Sequence, residues 1–181
     1  NTLPARGSNP PGPNGAPVID LGDATLSPGF IAAHTHLTFD FYSASYDELR
    51  LKRLDDSVAT MAFKSIPNAR ATLQAGFTTV RDVGSESFVD VALRDAIAHG
   101  IVEGPRMLVA TKGIGATGGH FDRSGGFRDG LFGRQMDYTD GIADGPAEIR
   151  KAVRHEVKNG AAVHKAAAEG GGVWRSDEGQ G

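Results

Sequence analysis

Ser27-Pro28-Gly29-Phe30-Ile31-Ala32-Ala33-His34-Thr35-His36-Leu37 is the stretch that decides how this chain folds. An apolar run over residues 30–37 rises out of a Pro-Gly turn and ends in two histidines. On a β-strand, residues i and i+2 share a face. Both imidazoles therefore reach one metal ion from one strand end, and neutral imidazole is a good ligand for zinc and other first-row divalent metals. The plainer alternative is a chance pair on a surface strand; the buried character of the run favours the metal.

On either side of this strand the pattern alternates. Residues 1–17 are rich in Pro, Gly and Asn and read as an extended arm, followed by a short strand-like run at 18–21. Ser45-x-x-Glu48 has the form of a capping box. Leu54, Val58, Met61, Ala62, Ile66, Ala69 and Leu73 recur mostly at steps of three or four, as an amphipathic helix requires. Pro67 is expected to kink or divide that helix, and Gly76 sits where a C-terminal cap belongs. Residues 77–83 read as a β-branched strand. Residues 88–99 form a second helix, with Phe88, Val91, Ala92 and Ile97 on its buried side. Residues 106–110 make a third strand, and a glycine-rich loop follows over 113–141. Pro146 fits the first turn of a third helix, in which Ile149, Val153 and Val157 form a stripe. Residues 161–168 are a fourth strand-like run, followed by Gly170-Gly171-Gly172.

Strands alternating with helices point to an α/β fold with a parallel sheet. The long loops follow strands, and loops after strands build the catalytic face of a (β/α)₈ barrel. A closed barrel takes roughly 250 residues. Residues 29–181 supply about four βα units, the N-terminal half of a barrel, with 1–28 as an arm. An open half exposes strand edges, so a homo-oligomer or completion by a second chain is expected.

Composition narrows the function classes. The 181 residues are 39% hydrophobic and 23% charged, with a net charge of −3. That balance makes no electrostatic case for nucleic acid or an anionic membrane. The absence of cysteine excludes disulfides, thiolate metal sites and a cysteine nucleophile. No apolar stretch approaches the ~18 residues of a membrane helix, and no signal peptide is visible; a cytoplasmic location is the expectation. Ser27 and Ser124 lack a nucleophile-elbow context, and no P-loop or G-x-G-x-x-G follows a strand suitably.

Four further segments accompany residues 27–37. They are Ala71-Thr72-Leu73-Gln74-Ala75-Gly76-Phe77-Thr78-Thr79-Val80-Arg81-Asp82-Val83-Gly84, Ala92-Leu93-Arg94-Asp95-Ala96-Ile97-Ala98-His99-Gly100, Gly104-Pro105-Arg106-Met107-Leu108-Val109 and Gly118-Gly119-His120. In this order they resemble the amidohydrolase superfamily, and more narrowly its imidazolonepropionase-like branch of metal-dependent Xaa-Pro dipeptidases and ochratoxin-type amidases. The resemblance implies a (β/α)₈ barrel with a flanking β-sandwich, of which 1–28 would be the remnant. It implies that His34 and His36 bind the more buried of two divalent metals, zinc by default. In Gly160-Ala161-Ala162-Val163-His164-Lys165-Ala166-Ala167-Ala168-Glu169-Gly170-Gly171, Lys165 takes the position of a lysine whose carbamate bridges the two metals. Ala162 replaces a usual Asp there, His164 stands where an aliphatic residue is usual, and His164 is expected to face away from Lys165. The family's further ligands come from two histidines on strands 5 and 6 and from an aspartate on strand 8. That aspartate is also the general base. None of them matches a residue of this chain, so no catalytic base is identified within it.

Other side chains were weighed beside these. The glycines around His120 let backbone approach a ligand, so His120 contacts substrate or merely caps its loop. Arg123 and Arg128 pair with a substrate carboxylate or are solvated. Arg81 and Asp82 suit a structural ion pair or hydrogen bond. His99 and His155 read as surface residues. The function implied is hydrolysis of the amide or peptide bond of small N-acyl amino acids or dipeptides by a metal-bound hydroxide. The alternative is a non-catalytic remnant or assembly subunit of the same fold, and a deaminase or cyclic amidase is a third option.

Overall fold

The computed structural model describes residues 21–39, 48, 55–124, 127–128 and 130–168. Five strands are present among these residues: β1 (Phe30–Thr35), β2 (Phe77–Asp82), β3 (Arg106–Val109), β4 (Gly113–Ile114) and β5 (Lys165–Ala166). Three α-helices connect them: α1 (Val58–Gln74), α2 (Val89–Ala98) and α3 (Gly145–Lys158). A 3₁₀ turn spans Tyr138–Asp140.

β1, β2 and β3 form one parallel sheet in chain order, and β4 pairs β5 in parallel. The two sheets meet at Val109, whose carbonyl accepts the N–H groups of Ala162 and Val163. Sheet order thus follows chain order with a helix in each of the β1–β2, β2–β3 and β4–β5 crossovers. This is the winding of a (β/α) barrel, and the chain forms an arc of one.

The core is where helices cover the sheet. Val80, Met107, Val109, Leu93, Ala69 and Leu37 are buried together, and Ile114, Ala143 and Ala152 make a second cluster under α3. The elements follow local chemistry. Ser57 caps α1 by accepting from Thr60 N–H at 3.1 Å. Pro67 does not divide α1. It lies on the exposed face, where water can satisfy the carbonyl that its missing N–H leaves unpaired. Position 45 of the expected capping box and the strand-like residues 18–20 lie outside the described residues. Residues 21–29 carry no strand.

Five expectations are corrected. The run that forms β1 is not buried as expected: Phe30 is 58% and Ile31 71% exposed, and His34 is exposed as well. On α2, Leu93 is buried and Ala92 is exposed, because the helix turns Leu93 onto the sheet core. On α3 the buried face is Ala152 and Glu156, while Ile149 and Val157 are exposed. Small Ala152 allows close approach to Ile114 and Ala143, and Glu156 follows one turn later. The span 113–141 is not a structureless loop. It opens with β4, returns to bridge Gly115 with Ile142, and closes on a capping box between Asp137 and Asp140. The fourth strand is also shorter than the apolar run suggests, two residues in place of 161–168.

Candidate metal centre and active site

The site begins with an irregularity in β1. Ala32 pairs with Val80 and Thr35 with Asp82, so three steps of β1 oppose two of β2. Such a bulge bends a strand and re-aims the side chains beside it; here it falls at Ala33 and His34. Arg81 holds it in place. Its Nε donates to the Ala33 carbonyl at 2.6 Å, and Thr35 Oγ1 donates to the Arg81 carbonyl at 3.2 Å. Where the strand ends, Leu37 N–H donates to Asp82 Oδ2 at 2.6 Å. Asp82 is completely buried, and burial pushes its carboxyl up to about 7 against the pull of the Leu37 and Gly84 N–H groups. Among the described residues its Oδ1 has no hydrogen-bond partner. Arg81 and Asp82 are thus structural groups of strand β2 that shape the β1 end.

The two histidines converge. His34 Nε2 and His36 Nε2 lie 3.3 Å apart. Two nitrogens each about 2.0–2.1 Å from a tetrahedral zinc would be about 3.3 Å apart, so the donor pair fits one ion. The tautomer of His36 fits as well. Its Nδ1 lies 3.1 Å from the Gly84 carbonyl. A carbonyl only accepts, so Nδ1 carries the proton and Nε2 holds the lone pair toward His34. A ligating histidine is ordinarily oriented by just such an outer hydrogen bond. Phe39 stacks on the same ring, with centroids 4.9 Å apart and planes within 7°.

Gly84 has a second role that sequence reading did not assign. A Cβ at that position would lie 3.0 Å from His36 Cε1 and 3.2 Å from Nδ1. Gly84→Ala is therefore expected to push the imidazole off its carbonyl and weaken zinc binding by roughly 10–100-fold, the usual cost of disturbing an outer-shell partner. A zinc titration of the variant beside the native chain checks this.

A cavity of about 250 Å³ opens at the same end of the strands. His36, His120 and Lys165 all line it, together with Gly84, Lys112 and Phe121. Lys165 Nζ lies 5.9 Å from the Phe121 ring centroid. The structure thus gathers His36, Lys165 and His120 around one space, while His34 is exposed, does not line it, and meets His36 at 3.3 Å. Among the described residues, no group of three or more His, Cys, Asp or Glu side chains is placed to hold a metal.

The charged residues around the cavity are mostly committed to each other. Arg123 donates to both oxygens of Glu86, at 2.6 and 2.7 Å, which corrects its reading as a carboxylate binder or a solvated side chain. Arg128 is exposed and does not line the cavity. Lys112, which periodicity alone could not flag, donates to the Thr139 carbonyl at 2.7 Å and lies 3.7 Å from Asp140. His99 is exposed at the end of α2. His155 is half-buried between the rings of Phe88 and Tyr138, 5.9 and 5.7 Å away, and so is not a surface residue. His164 does face away from Lys165: its Nδ1 lies 2.7 Å from Glu156 Oε2 on α3. No described helix is long and apolar enough to cross a membrane.

Known proteins are similar to this chain in sequence and fold. Residues 25–178 match the amidohydrolase family. Over 116 residues the chain is 34% identical to ochratoxinase of Aspergillus niger, an alignment that takes in 58% of this chain and 23% of that protein. A crystal structure of a Xaa-Pro dipeptidase with bound methionine in the active site is similar at a TM-score of 0.66 and 32% identity, over 77% of this chain and 33% of the other. The crystal structure of A. niger ochratoxinase gives a TM-score of 0.62 at 28% identity, over 80% of this chain and 34% of the other. The chain therefore spans between 23% and 34% of the length of these relatives.

Proposed function

The chain belongs to the amidohydrolase family, and on that premise we propose that it is the part of a metal-dependent hydrolase that carries the first metal ligands. The observation that carries this reading is the His34–His36 pair. Its Nε2 atoms are set 3.3 Å apart at the mouth of a β/α strand, beside a cavity that also holds Lys165 and His120. His34 and His36 would hold a divalent metal, zinc by default, and Lys165 as its carbamate would bridge to a second one. Metal in that position supplies an acidified water as nucleophile and polarises the scissile carbonyl. Several supporting groups belong to this chain. The Gly84 carbonyl keeps His36 in its ligating tautomer, Asp82 fixes the backbone at Leu37, and Phe121 gives the cavity an apolar wall beside Lys165. His120 lines the same cavity and would contact substrate. The general base and further ligands come, in this proposal, from outside residues 1–181.

The bond cleaved is an amide or peptide bond in a small N-acyl amino acid or dipeptide. The ochratoxinase and Xaa-Pro dipeptidase relatives support that substrate class. A second copy or a further chain would complete the barrel, with no nucleic acid or membrane as partner and a cytoplasmic setting. The test supplies the protein carrying this sequence with zinc and measures amino-acid release from a panel of Xaa-Pro dipeptides and N-acyl amino acids. Turnover that a chelator abolishes and zinc restores is expected. Zinc binding without turnover of any panel member would instead support a non-catalytic subunit of the same fold.

A further inference from the structure

β5 is one of the two shortest described strands, yet it carries Lys165. It consists of two residues, paired to an equally short β4 through Gly113 with Lys165 and Ile114 with Ala166. Just before it, the N–H groups of Ala162 and Val163 share one carbonyl, that of Val109. Its side-chain pattern is weak too. Residues 161, 163, 165 and 167 are half-buried and 162, 164, 166 and 168 exposed, but alanines occupy both faces. A slip of one residue exchanges the faces of a strand. Here such a slip would cost little in apolar packing and would turn Lys165 out of the cavity.

On the outward face, one side-chain contact opposes the slip. Glu156 is 2% exposed on α3, and a carboxylate this buried demands a partner. His164 Nδ1 meets its Oε2 at 2.7 Å, and among the described residues its Oε1 has no hydrogen-bond partner. We propose that the Glu156–His164 contact is the register lock of β5, by which the outward imidazole holds the strand to α3 and keeps Lys165 facing the cavity. His164 also occupies the carboxylate that would otherwise draw the neighbouring lysine out. Glu156 and His164 are positioning residues. The importance of the lock for chemistry rests on Lys165 being a metal ligand, while the lock itself rests on the strand geometry alone.

The absence of cysteine makes a clean test possible. Lys165→Cys and Ala166→Cys each introduce the sole thiol of the chain. In the full chain Ala166→Cys is expected to react quickly with a thiol reagent and Lys165→Cys slowly. Adding Glu156→Ala is expected to erase that contrast, and Glu156→Gln, which keeps an acceptor, to preserve it. Circular dichroism confirms that each variant is folded; if Glu156→Ala is not, His164→Leu makes the same comparison. An undiminished contrast in the folded variant would overturn the lock. The reading of Lys165 as a ligand fails separately, if Lys165→Ala binds zinc as the native chain does, because the labelling contrast needs no metal.

Discussion

Replacing His36 with alanine is expected to lower zinc affinity on the order of 10²–10³-fold. A completed four-ligand zinc site is worth about 10–16 kcal/mol, so one ligand carries roughly 2.5–4 kcal/mol, or about two to three decades in the dissociation constant. His36 is the better probe of the pair because it is held on three sides. Gly84 accepts from its Nδ1, Phe39 stacks on its ring, and the Leu37 N–H beside it is anchored on Asp82. Its loss removes a ligand that is already oriented, so little of the effect is recovered by rearrangement. Isothermal titration with zinc measures it, with His99→Ala as a control at an exposed helix end. Native affinity in His36→Ala would remove the metal from this site.

Thermal stability is expected to be higher near pH 5 than at pH 8. Burial raises Asp82 from 3.8 to about 7, and burial likewise raises Glu156 from 4.5 to about 7 against the pull of His164. Each group binds more proton in the folded chain than in the unfolded chain across that interval. Its stabilisation is complete below the ordinary carboxylate value and is lost as pH climbs toward 7. At about 1.4 kcal/mol per unit, the ceilings are on the order of 4–5 kcal/mol for Asp82 and 3–4 kcal/mol for Glu156. On the acid side other carboxylates act in the opposite sense. Hydrogen bonds from Thr139 hold Asp137 low, and those from Thr117 hold Asp144 low, so their stabilisation is lost as pH falls through about 4. Melting temperatures measured from pH 4 to 8 locate the maximum. Asp82→Asn, which keeps an acceptor for Leu37 but cannot ionise, is expected to flatten the neutral limb. A melting temperature that rises from pH 5 to pH 8 would refute this account.

The strands and helices of this chain are legible wherever periodicity and punctuation agree. Residues 30–37, 77–83 and 106–110 each yield a parallel strand, and the His34-Thr35-His36 spacing places two imidazoles on one side. The bulge that brings their Nε2 atoms together is not legible, because it depends on how β1 meets β2 and on Arg81 reaching across. α3 shows a different limit. Its aliphatic stripe at Ile149, Val153 and Val157 suggested the buried face, but tertiary contact chose Ala152 and Glu156, since a small residue and a paired acid suit the second cluster better. Glu156 itself gives no sign of burial in the sequence; its partner His164 lies beyond the end of α3. The unusual histidine before Lys165 was the available clue. Gly84 stood inside a recognised motif, yet its steric purpose emerges only once His36 is placed beside it.

Sheet order that follows chain order also bears on how the molecule is made. β1 pairs with the next strand in the chain, β2, so it need not wait for the later strands, although parallel pairing across so many intervening residues is intrinsically slow. Domains are synthesised from the N-terminus at about 5–20 residues per second. His34, His36, the stacking ring of Phe39 and the orienting carbonyl of Gly84 all lie within the first half of the sequence. The histidine pair can therefore take shape on the ribosome, seconds before Lys165 is translated.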